Sequence, residues 1–150
     1  MLTVRPVEEK DFDSALKLLK EFQAESLDAY NLLCNDKIAL SIMPKFIGSS
    51  FVLETDNAIV GVIAGIIVTY PLNDEKIYHE QIWYVNKTYR KYGIKLYLKP
   101  EQYCKKNNIK KIIMVSMANS KTQKLEEFYK RLGYKLLESH YIKNLNGRIN

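Results

Sequence analysis

Apolar residues recur along this chain with two periods, and the points where the period changes mark its elements. "LTVRP" reads as a short strand closed by Pro6, and the segment after it sets Phe12, Ala15, Leu16, Leu19 and Phe22 at helical spacing. A second helix is predicted after Asn35, a good N-cap residue, carrying Ile38, Ala39, Ile42 and Met43 until Pro44 disturbs it. "FVLET", a turn at Asp56 and Asn57, and the apolar run from Ala58 to Tyr70 then predict a β-hairpin. "KIYHEQIWYV", β-branched and aromatic, follows the polar break Asn73-Asp74-Glu75 as a third antiparallel strand.

In the second half, a helix is expected from Gly93 through Tyr103 and Cys104, kinked at Pro100, which removes the bond to Leu96, and ending near "KKNN" with cations suited to a helix C-terminus. The strand "IKKIIMVS" follows. Ser120 with Gln123 reads as a capping box opening a last helix, with Leu125, Phe128 and Leu132 as its apolar stripe and Gly133 as a left-handed C-terminal cap. "YKLLESHYIKNL" is expected to supply one closing strand, or two if it bends near Glu138. This order predicts an α/β fold, a mixed central β-sheet flanked by helices.

Composition narrows the class. No repeat, low-complexity tract or linker divides the 150 residues, so one domain over 1–150 is expected. The formal charge of +6 favours an anionic partner: a phosphate-bearing cofactor, a nucleic acid or an acidic protein face. Cys34 and Cys104 have neither metal-ligand nor disulfide-framework spacing and read as free thiols in a reducing cytoplasm, with no metal site. The N-terminus carries charge where a signal peptide needs an apolar core. The Ala58 to Tyr70 run is too short to span a bilayer and is interrupted by Gly61 and Gly65, so no membrane partner is expected.

The segment from Trp83 to Met114, together with "FYKRLGY", Phe128 to Tyr134, resembles the GNAT acetyltransferase superfamily. That family's acyl-CoA site has a strand, a Q/R-x-x-G-x-G/A loop and a helix, followed later by an F-Y-x-x-x-G-[FY] signature. Arg90 and Gly93 match the first two fixed loop positions, Lys95 stands where the family prefers Gly or Ala, and "FYKRLGY" matches the second signature fully. The resemblance implies a GNAT-like acyl-CoA N-acyltransferase fold and acetyl-CoA as donor. It places the cofactor against Tyr84 and Val85 at the strand end, against Arg90, Lys91, Tyr92, Gly93, Ile94 and Lys95 in the loop and helix start, and against Asn119 along the pantetheine arm. The physical reading of the loop agrees. Unpaired N–H groups and the positive dipole end at a helix start attract phosphate, a glycine admits close approach, and neighbouring cations add charge-assisted contacts.

Acetyl transfer to an amine needs a base for the ammonium proton, a donor for the developing oxyanion and an acid for the thiolate. The resemblance implies Tyr129 as the acid and a backbone N–H near Val85 as the donor. For the base it leaves His79 and Glu80, whose side chains strand alternation sends to opposite faces. Parity with Val85 favours His79, whereas family precedent favours the carboxylate. His140 is expected to be structural or on the rim. Glu21, Glu25, Asp28 and Asp36 are candidates to draw a cationic acceptor, which the sequence leaves open among a protein lysine or N-terminus, a polyamine, an aminoglycoside and another small amine. A homodimer is also left open. The alternative is a GNAT-like domain with reduced or no catalysis, acting as a binding or structural component on nucleic acid or a protein assembly; Lys95 and the undecided base are its support.

Overall fold

A computed structural model describes residues 1–56, 58–118 and 121–146. The chain divides into two compact units, Met1–Phe22 with Cys34–Val115, and Gln23–Leu33 with Ser116–Asn150. The first contains a five-stranded sheet in the order β1 (Leu2–Pro6), β2 (Phe51–Thr55), β3 (Ala58–Thr69), β4 (Lys76–Val85), β5 (Lys111–Ile113). β1 to β4 are antiparallel and β5 joins β4 in parallel, so the sheet is mixed.

Local chemistry accounts for most of the element ends. Pro6 closes edge strand β1, and the next amide, Val7, donates to Ser50 O at 3.0 Å. By alternation the Pro6 nitrogen faces away from β2, where it breaks no ladder bond. Asn35 caps α2 (Asp36–Ile42) by accepting from the Ile38 amide at 3.1 Å, as expected, and Pro44 sits in a short 3₁₀ segment after it. α3 (Gly93–Lys106) runs unbroken through buried Pro100. It ends at Asn108 (φ 56°), with Ile109 N donating back to Cys104 O at 2.8 Å in a Schellman turn.

The sheet is apolar on both faces. On one, Phe51, Leu53, Val60, Ile63 and Val85 pack with Leu96 of α3; on the other, Val7, Val52, Val62 and Tyr84 pack with Leu18 of α1 (Phe12–Ser26). Leu53, Ile63 and Leu96 are fully buried, each contributing roughly 1.5–3 kcal/mol of transfer free energy. Arg5 ties the strands to the 3₁₀ turn that precedes α1: its Nη1 and Nη2 each donate to the Asp11 carboxylate at 2.8 Å, and its Nε donates to Glu54 at 2.9 Å.

In the second unit, α4 (Thr122–Arg131) begins after Lys121, which makes no side-chain cap bond; Thr122 Oγ1 instead donates to Met117 O. Ser120 of the expected capping box lies outside the described residues. Gly133 takes the predicted left-handed conformation, φ 89°. The expected closing strand is absent: residues 134–146 carry no strand, and Leu136 and Tyr141 are 84% and 96% exposed. An alternating pattern supplies a face but no ladder partner, and among the described residues this segment has none. "IKKIIMVS" likewise forms a strand only over Lys111–Ile113.

Candidate active site

β4 and β5 pair at only three positions, Ile77–Lys111, Tyr78–Ile112 and His79–Ile113. Past that point no strand pairing joins them, and a carboxylate bridges the gap. Glu80 is 3% exposed and accepts a hydrogen bond from the Val115 amide at 2.8 Å. Burial pushes its carboxyl up from 4.5 to about 7, with the Val115 bond opposing the shift.

The facing of Glu80 reverses the expectation from simple alternation. Between β3 and β4 the register steps from Ala64↔Ile82 to Gly65↔Glu80, so Gln81 is the extra residue of a β-bulge. One inserted residue flips the parity of everything before it. Tyr78 therefore lies on the α3 side, its ring 6.3 Å from that of Tyr103, and Glu80, two residues on, shares that side with Trp83 and Val85. His79 lies on the opposite face. Its Nδ1 is 2.9 Å from the Glu80 carbonyl and 3.0 Å from Gln81 Nε2. A glycine inside a strand pattern is a bulge signal, and Gly65 was the available clue.

The Asn86 amide donates to Val60 O at 2.9 Å, so by alternation the Val85 N–H and C=O point to the opposite edge, where β5 no longer pairs. That is where an oxyanion donor was expected. The Val85 carbonyl accepts from Arg90 Nε at 3.2 Å, and the Arg90 guanidinium stands 5.8 Å from the centroid of the Tyr84 ring. The side chain of Tyr84 itself faces α1, donating to Glu21 Oε2 at 3.1 Å. Its side chain is thus turned to the α1 face, and by the same alternation its N–H and C=O point into the β3 ladder, so Tyr84 does not present the groups expected to meet a cofactor.

A six-residue 3₁₀ segment, Lys87–Tyr92, leads into α3, capped by Asn86 accepting from the Thr88 amide. Gly93 is helical at φ −56°, and its own amide already donates to Arg90 O. An added Cβ there would meet only Trp83 Cζ2 at 3.7 Å and Val85 Cγ2 at 3.8 Å, ordinary contacts. Neither strain nor packing inside the protein requires a glycine. Close approach of a ligand to the backbone would, and the α3 start, with no side-chain cap and with cations beside it, fits an anion. Lys91 and Lys95 stand 5.0 and 5.7 Å from the centroid of the half-buried Tyr92 ring, while Ile94 is exposed. Lys95 also lines a cleft of about 380 Å³ with Leu2, Val4 and Lys99.

The second unit holds Tyr129, 8% exposed at the third position from the end of α4. The Schellman bonds Tyr134 N to Tyr129 O and Gly133 N to Lys130 O, at 3.0 and 3.1 Å, close that helix, and the Tyr134 ring packs 5.3 Å from the ring of Tyr129. The "FYKRLGY" signature is thus a stop signal that fixes a tyrosine. Among the described residues Ser116 Oγ is buried without a hydrogen-bond partner, whereas Asn119 lies outside them. His140 is exposed beside Glu138 at 3.2 Å.

Of the four acidic candidates for the acceptor, Glu21 also accepts from Asn86 Nδ2 at 3.2 Å, and Asp36 pairs with Lys20 at 2.6 Å. In the second unit Glu25 lies 3.6 Å from Lys121, and Asp28 accepts from Gln23 at 2.9 Å. Among the described residues no three of His, Cys, Asp and Glu gather as a metal site, and no helix is long and apolar enough to cross a membrane.

A family model described as the acetyltransferase (GNAT) family matches residues 14–134, running through both units, and the chain belongs to that family. No curated protein matches it. Among solved structures it is similar to a ribosomal-protein-alanine N-acetyltransferase from Brucella melitensis biovar Abortus 2308, at 14% identity and a TM-score of 0.75, covering 96% of this chain and 99% of that one. Glucosamine-6-phosphate N-acetyltransferase from Arabidopsis thaliana is 18% identical with a TM-score of 0.72, over 97% and 99% of the two chains. AAC(6')-Iy, solved with the bisubstrate analogue CoA-S-monomethyl-acetylneamine, is 12% identical with a TM-score of 0.72, over 96% and 97%. These likenesses confirm the predicted α/β fold.

Proposed function

We propose that the protein transfers an acetyl group from acetyl-CoA to a primary amine by direct attack in a ternary complex. The observation that carries this reading is the buried Glu80 carboxylate at the β4–β5 fork, held by the Val115 amide and raised to about 7. A carboxylate so poised is half-ionised near neutral pH and can accept the proton of an ammonium group, directly or through a water. His79, on the other face with its ring against the Glu80 carbonyl, is the weaker candidate.

Acetyl-CoA supplies the activated acyl group. Gly93 and its neighbours Lys91, Tyr92 and Ile94 would hold its phosphates at the positive end of α3, and Arg90 would brace the Val85 carbonyl while its charge adds to the field there. The Val85 N–H, on the unpaired edge of β4, would donate to the carbonyl oxygen as negative charge gathers on it. Tyr129 would return a proton to the departing sulfur. Relatives of this fold act, by their names, on a protein alanine and a sugar phosphate, and one is held with a bisubstrate analogue joining CoA to acetylneamine, so the acceptor is an amine on a small molecule or a protein.

The reading is tested by release of free CoA thiol from acetyl-CoA with a panel of amines and peptides, using wild type and Glu80→Gln. Amine-dependent release that falls about 100-fold in the variant is expected from loss of a general base. Thiol release at the wild-type rate in Glu80→Gln would remove Glu80 from the mechanism. No release with any acceptor, from protein that binds CoA, would remove the reaction itself.

A further inference from the structure

The bulge that turns Glu80 towards the α3 face has no origin in Gln81, which is exposed. Its anchorage lies across the strands. The β2–β3 ladder stops at Phe51↔Ile63, and beyond it the backbone of Gly65 is satisfied by serine hydroxyls. Gly65 N donates to Ser50 Oγ at 3.2 Å, and Gly65 O accepts from Ser49 Oγ at 2.6 Å.

Over that glycine lies the ring of Tyr78, fully buried, its hydroxyl donating to Ser49 O at 2.8 Å. The fit leaves no room: a Cβ on Gly65 would stand 2.3 Å from Tyr78 Cζ and 2.4 Å from its Oη. Gly65 is therefore needed for the space above it. Tyr78 and Glu80 are on the same face of the same strand, with regular pairing between them (Ile67↔Tyr78, Ile66↔His79, Gly65↔Glu80). If β4 slipped by one residue to erase the bulge, Tyr78 would leave the notch above Gly65 and Glu80 would turn to the α1 face.

We propose that Tyr78 is a positioning residue, whose ring, seated in the notch over Gly65, locks the β4 register that presents Glu80 at the fork against the Val115 amide. This rests on Glu80 being the base of the proposed reaction. The device acts through size: a large ring and an absent side chain on facing strands, closed by two serines into a buried network with its polar groups paired. The ring supplies the lock, while the hydroxyl completes the polar network.

The test measures Glu80 directly, apart from turnover. Carbon-detected NMR titration of the glutamate carboxyls and amide exchange at Val115 are compared in wild type, Gly65→Ala, Tyr78→Leu and Tyr78→Phe. In Gly65→Ala, where the new Cβ evicts the ring, and in Tyr78→Leu, where the ring is gone, the Glu80 midpoint is expected to move from about 7 towards 4.5 by about one unit or more. Val115 exchange is expected to speed up at least about tenfold as its acceptor leaves. Tyr78→Phe keeps the ring and should keep both values. A folded Gly65→Ala or Tyr78→Leu with wild-type titration and exchange overturns the proposal, as does Tyr78→Phe behaving like Tyr78→Leu. Unfolding of both disruptive variants would make Tyr78 a core residue and nothing more, which also overturns it. Full turnover in Glu80→Gln would sink the catalytic reading while leaving the titration result standing, so the two failures are distinguishable.

Discussion

The Val115 amide donates to the Glu80 carboxylate at 2.8 Å where the pairing of β4 and β5 has ended. A side chain thus stands in for a missing rung of the ladder, and its burial costs stability whenever it is ionised. Because the native value is raised, the folded protein keeps a proton that the unfolded chain gives up. Stability is full below about 4.5 and declines as pH rises to about 7. Above that window the cost is roughly 3 kcal/mol, taken from the size of the shift. Glu80→Gln should therefore be more stable than wild type in urea at pH 8 by an amount of that order, and indistinguishable from it at pH 4. A variant that is less stable at pH 8 would contradict the burial argument.

Asp11 works in the opposite sense. The Arg5 guanidinium, bonded to both its oxygens, holds its carboxyl below the usual range. That stabilisation is present above the unfolded value near 4, and it is lost as pH falls through the depressed native one. Asp11→Ala leaves Arg5 with Glu54 and the more distant Glu8, 3.7 Å away, at this half-buried site and should cost about 2–3 kcal/mol at pH 7, read from urea midpoints. A cost below about 0.5 kcal/mol would reduce the pair to an ordinary surface contact.

At Gly93, stability and ligand affinity should part. The added Cβ of Gly93→Ala meets only ordinary contacts, and alanine is the better helix former, so a gain of up to about 1 kcal/mol is expected. If the glycine is there for close approach of phosphates, calorimetry should show acetyl-CoA binding weakened about tenfold or more in the same protein. Equal affinity would remove the phosphate role from this position.

Gly133 should behave in the reverse way. Its φ of 89° strains any other residue, and Gly133→Ala should cost about 1 kcal/mol. The same change loosens the contact of Tyr134 on Tyr129, so turnover should fall more than acetyl-CoA affinity. A drop in affinity with turnover intact would place Tyr129 outside the chemistry.

Local chemistry made much of this fold legible. Asn35 announced its helix, Pro6 its strand end, and Gly133 its cap, because each acts within a few residues of itself. The family loop and signature were readable for the same reason. What failed was long-range. Gln81 carries no mark of being a bulge residue, since the cause lies in Gly65 and Tyr78 on facing strands, and parity counted along β4 alone pointed to His79. The Glu80–Val115 bond was hidden because its donor is a backbone amide 35 positions away. "YKLLESHYIKNL" has the alternation of a strand, but a strand exists only with a partner, and its own pattern cannot supply one.

Tyr129 sits where it does because it is counted backwards from a glycine. The turn that closes α4 ties Tyr134 N to Tyr129 O, so the distance from stop signal to tyrosine is fixed by hydrogen bonds rather than by helix length. An insertion near the start of α4 would lengthen the helix and rotate its first turn by about 100° per residue relative to the end, leaving the Tyr129–Tyr134 unit intact. An insertion between Tyr129 and Gly133 would break it. The stretch from Tyr129 to Tyr134 is accordingly the part of this helix end least able to vary in length, and the first turn is where evolution or an engineer has room to work.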